Sequence, residues 1–297
     1  MTLSPTLTTA VLATGLDPEH VEEQARRALA EDLLGGVDVT SVATVPLDHE
    51  GVADIVAREQ GVLAGVPLAW AVFECAADAD VVVTPRAADG DSVAPGDVVL
   101  SVRGRTRTLL TAERSALNFA GHLSGIATAT RCWVDAVAGT GAGILDTRKT
   151  TPGLRLLEKY AVRCGGGAGF RMGLSDAAMV KDNHVVAAGG VVAAFRAVRT
   201  QFPDIPVEVE CDRVDQVAAA VAAGADLILL DNMGLDALRE SVRVAAGRAR
   251  LEASGGLTLE RARAVAETGV DYLSVGALTH SSRVLDLGFD LRPKGEG

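Results

Sequence analysis

The fold is decided by VEVECDRVDQVAAAVAAGADLILLDNMGLDALRESVRVAAGRARLEASGG, residues 207–256. Three short apolar runs, Val207–Cys211, residues 226–231 and Arg250–Ser254, are separated here by longer stretches of helical character. Runs this short, rich in Val, Ile and Leu and bounded by Gly or Asp, suit strands that are covered on both faces. Strands alternating with helices predict right-handed crossovers and a parallel sheet. Similar runs at residues 143–146, 177–181 and 271–276 extend the pattern outward in both directions. So many units in succession favour a closed or nearly closed β/α barrel, with a doubly wound sheet as the alternative. The polar residues favour the barrel. Asp146, Lys181, Glu210, Asp231 and Ser254 each fall at or just past the C-terminal end of an expected strand, the end at which β/α barrels gather their active sites.

Upstream of residue 140 the pattern is different. Asp17-Pro18-Glu19 supplies a cap and first turn for a helix over residues 21–34, and Gly35-Gly36 stops it. Strand-like runs follow at residues 51–58, 80–85 and 97–103, with Pro95-Gly96-Asp97 marking a tight turn. From residue 112 to 137 the period lengthens: Phe119, Leu123, Ile126, Thr130, Trp133 and Val137 lie three or four apart, on one face of a long helix that joins the two parts.

The chain has 297 residues, enough for one large or two ordinary domains. Apolar residues make up 48% and aromatics only 3%, so the core must be built from Ala, Val, Leu and Ile. A net charge of −11 and a pI near 5.0 argue against a nucleic-acid partner. Cys75, Cys132, Cys164 and Cys211 form no C-x-x-C pair, which gives neither a disulfide framework nor a zinc site. The N-terminal residues lack a basic leader, and the most apolar run, residues 185–195, is interrupted by Gly189 and Gly190. A cytoplasmic protein without a membrane span is the expectation.

Positive charge is concentrated in residues 145–184. Arg148, Lys149, Arg155, Lys159, Arg163, Arg171 and Lys181 outnumber Asp146, Glu158, Asp176 and Asp182 in an otherwise acidic chain. Such a field, set among glycines, suits a small multiply charged anion. Thr147-Arg148-Lys149-Thr150 places a guanidinium beside an ammonium directly after a strand, unless it is only a solvated turn. The glycine run 165–169 matches neither a dinucleotide fingerprint nor a P-loop; it reads as a close backbone approach to a ligand or as a surface loop. Lys181-Asp182-Asn183-His184 ends a strand with four polar groups, which a ligand explains better than packing does. Glu208 and Glu210 share one side of their strand. Glu210 and Asp231 at neighbouring strand ends can hold Mg²⁺ through water and substrate oxygens, or can cap the following helices. Ser254-Gly255-Gly256 and Gly276-Ala277 have the look of late phosphate-binding loops.

Taken together, Glu113-Arg114, Asp146-Thr147-Arg148-Lys149-Thr150-Thr151-Pro152, Arg163-Cys164-Gly165-Gly166-Gly167, Lys181-Asp182-Asn183-His184, Glu210, Leu230-Asp231-Asn232 and Ser254-Gly255-Gly256 resemble the quinolinate phosphoribosyltransferases over nearly the whole chain. The resemblance implies an α/β type II phosphoribosyltransferase fold: an N-terminal α/β sandwich domain over residues 1–117, an open seven-stranded β/α barrel over 118–278, and a segment 279–297 returning to the first domain. It implies transfer from phosphoribosyl pyrophosphate to quinolinate with loss of CO2, with Mg²⁺, in a homodimer with shared sites and without nucleic-acid or membrane partners. Arg148 and Arg171 would hold the acceptor's carboxylates, joined by Arg114 from the neighbouring subunit. Lys149, Lys181, Glu210 and Asp231 would be catalytic: the lysines face the phosphates, and the acids organise the Mg²⁺-bound ribose and stabilise its developing charge. Gly255, Gly256 and Gly276 would receive the 5-phosphate, with Ser254 and His184 lining the substrate site. Where the family usually has Asn-His-Arg, this chain has Gly169-Phe170-Arg171. That departure makes a different pyridine or heteroaromatic acid stacked on Phe170 the alternative acceptor. A catalytically silent ligand-binding homologue is the further alternative.

Overall fold

A computed structural model describes residues 3–77 and 81–292. Asp80, part of one expected strand, lies outside the described residues. In chain order the first half runs α1 (Pro5–Ala13), α2 (Pro18–Leu33), α3 (Val39–Thr44), β1 (Glu50–Ala57), β2 (Gly61–Val62), α4 (Val66–Ala76), β3 (Val82–Pro85), β4 (Ser92–Val93), β5 (Val98–Arg105) and α5 (Thr106–Ala136). The second half continues β6 (Gly143–Leu145), α6 (Arg155–Cys164), β7 (Ala178–Val180), α7 (Asp182–Ala188), α8 (Val191–Gln201), β8 (Val207–Cys211), α9 (Val214–Ala222), β9 (Leu227–Asp231), α10 (Leu235–Ala245), β10 (Arg250–Ser254), α11 (Leu259–Ala266), β11 (Tyr272–Ser274), α12 (Ala277–His280) and β12 (Leu287–Arg292).

The chain divides into two compact units, residues 1–129 with 156–165 and 282–297, and residues 130–155 with 166–281. The boundary expected at 117/118 falls inside α5, whose buried face begins at Leu109 and Ala112 and runs on through Ala116, Leu123 and Ile126. A continuous helical stripe leaves no break there, and the charged stretch before residue 112 had hidden the helix start. Leu156–Gly165 also groups with the first unit rather than with the barrel, and the returning C-terminal segment starts at 282 rather than 279.

In the first unit an antiparallel sheet, in the order β12-β1-β5-β3, carries a helical layer. Phe73 of α4 stacks on Phe289 of β12, with ring centroids 5.9 Å apart. Asp17 caps α2 by accepting from Glu19 N at 3.0 Å, with Pro18 at the first helical position, and Leu34 and Gly35 end that helix at positive φ. Gly121 and Gly125 of α5 let the returning chain cross close by: a Cβ on Gly125 would lie 1.9 Å from Arg283 O.

The second unit holds a parallel sheet in the order β6-β11-β10-β9-β8-β7. Beside β6, Ala168 makes a parallel bridge to Leu145, with Ala168 N donating to Ile144 O and Asp146 N to Ala168 O, both at 2.9 Å. The glycine-rich segment therefore takes a seventh place in the sheet. Chain order and sheet order agree with an open seven-stranded β/α barrel whose gap lies between the Ala168 segment and β7. Ile228, Leu230, Leu251, Ala253 and Leu273 are buried, and each such Leu or Ile contributes about 1.5–3 kcal/mol. The alternate positions of β8, β9 and β10 carry Glu208, Glu210, Leu229, Asp231, Glu252 and Ser254 on the opposite face. Cys75, Cys132, Cys164 and Cys211 are all free thiols. Among the described residues no helix is long and apolar enough to cross a membrane.

Candidate active site

The parallel ladder puts the C-terminal ends of its strands on one rim. Asp231 closes β9 and pairs in register with Ser254, the last residue of β10. Glu210 is the penultimate residue of β8. Lys181 follows β7, and its Nζ lies 3.6 Å from Glu210 Oε2. The next helices begin later, with Arg213 and Gly234 at the N-caps of α9 and α10, so neither Glu210 nor Asp231 caps a helix. Lys149 lies in the loop after β6, held by Thr279 Oγ1 donating to its carbonyl at 2.8 Å. Its stem runs so close to Gly276 that a Cβ there would meet Lys149 Cδ at 2.8 Å. Cations and carboxylates from separate βα units thus share one rim.

The ends of β9 and β10 are latched together. Asn232 takes a left-handed φ of 55°, which asparagine tolerates better than most residues. Its Nδ2 donates to Asp231 Oδ2 at 2.8 Å and its backbone N to Ser254 O at 2.9 Å. Gly255, at φ 87°, leaves the room this needs, since a Cβ there would come within 2.3 Å of Asn232 Oδ1. Gly256 also has positive φ.

Arg171 is buried; its Nη1 donates to Ala177 O at 3.3 Å and its Nη2 to Met179 Sδ at 3.4 Å. Burial, and then the field of nearby Arg148, holds its pKa below the ordinary guanidinium value. Arg148 keeps a buried Nε without a hydrogen-bond partner. Below the rim, burial and then the charge of Glu252 raise the Glu208 carboxyl well above the usual carboxylate range, and burial raises Glu252 likewise. Gly169 packs against Asp146, whose Oδ2 would lie 2.8 Å from a Cβ at that position. The half-buried Phe170 offers no polar atom where a histidine would offer two. His184 is exposed and accepts from Lys181 N through Nδ1 at 2.9 Å, which leaves the proton of the neutral ring on Nε2. His184, Arg171 and Met179 line a cavity of about 490 Å³ walled by alanines of α7 and α8. Arg114 is exposed on α5 in the first unit.

Thr279, Met179 and Glu252 were not singled out from the sequence, and Asn232 stood there only within the Leu230-Asp231-Asn232 motif, without its latching role. Glu252 had a signal: it stands two residues before Ser254, on the same side of the strand. The other three act through contacts between separate βα units.

Residues 38–124 match the family description "Quinolinate phosphoribosyl transferase, N-terminal domain" and residues 126–290 its C-terminal domain. The chain belongs to the quinolinate phosphoribosyltransferase family. It is 52% identical over 277 residues to the nicotinate-nucleotide pyrophosphorylase [carboxylating] of Mycobacterium leprae, covering 92% of this chain and 98% of that protein. A probable nicotinate-nucleotide pyrophosphorylase of Bacillus subtilis is 42% identical, covering 82% of this chain and 84% of that one. Among solved structures, NadC from Streptococcus pyogenes superposes with a TM-score of 0.89 at 40% identity, covering 94% of this chain and 99% of that chain. The Francisella tularensis pyrophosphorylase does so at 0.87 and 36%, covering 92% and 96%.

Proposed function

We infer that this chain is a quinolinate phosphoribosyltransferase of NAD synthesis, converting phosphoribosyl pyrophosphate and quinolinate to nicotinate mononucleotide, pyrophosphate and CO2. The observation that carries the reading is the rim itself, where Lys149, Lys181, Glu210 and Asp231 stand at the strand ends beside the guanidiniums of Arg148 and Arg171. The family membership and the 52% identical pyrophosphorylase support it.

The roles follow from charge. The ring nitrogen of quinolinate attacks the anomeric carbon of the ribose as the bond to pyrophosphate breaks, so positive charge develops on the sugar and negative charge on the leaving group. Glu210 and Asp231 stabilise the first and Lys149 and Lys181 the second, and no nucleophilic side chain is needed. The Lys181–Glu210 pair keeps both groups oriented before substrate arrives. Arg148 and Arg171 fix the acceptor's carboxylates, Ser254 and His184 line the substrate, and Gly255, Gly256 and Gly276 receive the 5-phosphate on backbone N–H groups. Once the ring nitrogen is quaternary, the 2-carboxylate leaves as CO2 and a proton takes its place.

The donor set suits Mg²⁺. Glu210 and Asp231 stand at adjacent strand ends and neither is fully buried. Among the described residues no group of three His, Cys, Asp or Glu forms an all-protein cage, and Mg²⁺ held chiefly by pyrophosphate oxygens and water does not require one. Glu210 and Asp231 would hold it through those oxygens. When bound, Mg²⁺ neutralises the pyrophosphate. The exposed Arg114 acts in the neighbouring subunit of a homodimer, and the enzyme works in the cytoplasm.

One feature favours a second acceptor. Gly169 and Phe170 remove polar groups beside Arg171, so a pyridine or heteroaromatic acid stacked on Phe170 competes with quinolinate. Pyrophosphate release with quinolinate, nicotinate and related acids, with and without Mg²⁺, tests both readings. Quinolinate should give the largest kcat/KM. Turnover of another acid alone favours the second acceptor, and donor binding without turnover of any acid refutes the enzyme.

A further inference from the structure

Glu208 on β8 and Glu252 on β10 lie one layer beneath the rim, two residues before Glu210 and Ser254, and are 0% and 3% exposed. Both oxygens of Glu208 and Oε2 of Glu252 find no hydrogen-bond donor, although the two carboxyls lie against each other. Ser274 Oγ, close to Glu252, makes no hydrogen bond of good geometry either. The two acids therefore form a buried acidic pair beneath the rim, and neither oxygen of Glu208 is matched by a donor.

Their surroundings show what that pair faces. Met179 of β7 is the register partner of Glu208, and Arg171 Nη2 donates to Met179 Sδ, so the guanidinium sits over the strand pair that carries Glu208. Glu208 and Asp176 are the anions acting on Arg171, and Arg148 is the opposing cation. Glu210 acts on Glu208 from its own strand, and Asp146 acts on Glu252. With the acceptor absent, Arg148 and Arg171 repel each other with part of their surface out of water.

We propose that Glu208 and Glu252 are positioning residues for the acceptor: their shared buried charge holds the Arg171 guanidinium beside Arg148 before a carboxylate arrives. This rests on the assignment of Arg148 and Arg171 to the acceptor. A preorganised cation pair binds its ligand without a reorganisation cost, so the loss should appear in acceptor affinity and not in donor affinity.

Calorimetric titration with quinolinate, together with steady-state kinetics, tests this on the wild type, Glu208→Gln, Glu252→Gln and the double variant. Either single glutamine keeps one carboxylate and gives it an amide donor, so quinolinate affinity should change by less than about threefold, whereas the double variant loses the charge and should bind roughly tenfold or more weakly. Its kcat and its KM for phosphoribosyl pyrophosphate should stay near those of the single variants. A folded double variant that binds quinolinate as well as the wild type, or that loses donor affinity equally, overturns the proposal. If the double variant does not fold, Glu252→Gln against Glu252→Leu decides, because only leucine strips the partner from Glu208; equal affinities overturn the proposal. If the wild type neither binds nor turns over quinolinate, the functional reading has failed, and the same variants titrated with nicotinate decide the positioning role: weaker binding by the double variant alone supports it, and any other result, including no binding at all, overturns it.

Discussion

Replacing Gly255 with alanine puts a methyl group where there is no room for one. The new Cβ would lie 2.3 Å from Asn232 Oδ1, 2.6 Å from its Cγ and 2.9 Å from its backbone N. Since carbon-to-oxygen contacts settle above about 3.4 Å, the Asn232 side chain must retreat by roughly 1 Å. The backbone is tied as well, because Asn232 N donates to Ser254 O at 2.9 Å. The left-handed φ adds about 1 kcal/mol for any residue with a Cβ, and overpacking adds about 1–3 kcal/mol. A total of about 2–4 kcal/mol lowers Tm by roughly 3–6 °C in a chain of this length. Asp231 should move with Asn232, whose amide holds its Oδ2 at 2.8 Å, and a catalytic group misplaced by about 1 Å loses on the order of a hundredfold in rate. Thermal melts and a pyrophosphate-release assay with quinolinate measure both effects. Gly234→Ala is the control, since nothing lies within 4 Å of a Cβ there and its φ is −73°. A folded Gly255→Ala protein with wild-type Tm and kcat/KM refutes the reasoning, as does an equal loss in the control.

Lys181→Met removes the cation of a pair whose lysine is 49% exposed. Tm should therefore shift by less than about 3 °C, while kcat falls by roughly a hundredfold if the ammonium stabilises the leaving group; retained kcat removes Lys181 from the mechanism. Gly125→Ala drives a methyl into Arg283 O, 1.9 Å away, and should destabilise by about 1–3 kcal/mol or more in denaturant melts. Tyr160→Phe deletes the hydroxyl that donates to Oδ2 of the half-buried Asp89 at 2.5 Å, at a cost of about 1.5–3 kcal/mol; unchanged stability shows that the Gly65 and Val66 N–H groups, which also donate to this carboxylate, suffice. Glu208 keeps a proton when folded that the unfolded chain releases near 4.5. Its stabilising contribution is complete below that pH and is lost as pH rises toward the raised folded value. Melting curves from mildly acidic to mildly alkaline pH should show the wild type losing Tm relative to Glu208→Gln, and a constant gap contradicts the assignment.

The barrel was legible because its strands are short apolar runs with polar residues at one end, and parallel β/α units gather Asp146, Lys181, Glu210, Asp231 and Ser254 on one rim. The Ala168 strand was not, since a glycine run carries no hydrophobic period and is held by one bridge to Leu145. The latch at Asn232 was equally hidden, because it depends on a left-handed residue meeting a glycine from the next strand. Glu208 and Glu252 look like ordinary strand glutamates until β8 and β10 are set either side of β9, where burial gives them their character. The start of α5 was missed for the opposite reason: an arginine- and threonine-rich first turn masks an apolar face that begins at Leu109.

The gap beside β7 sorts the chemistry by tethering. Glu210, Asp231 and Ser254 stand on strands flanked by ladders on both sides, whereas Phe170 and Arg171 directly follow the Ala168 segment, at the seam beside β7 that no ladder closes. Substitutions in residues 168–179 can therefore retune which ring is accepted while leaving the sugar-handling half untouched, and divergence among relatives should be concentrated along that seam.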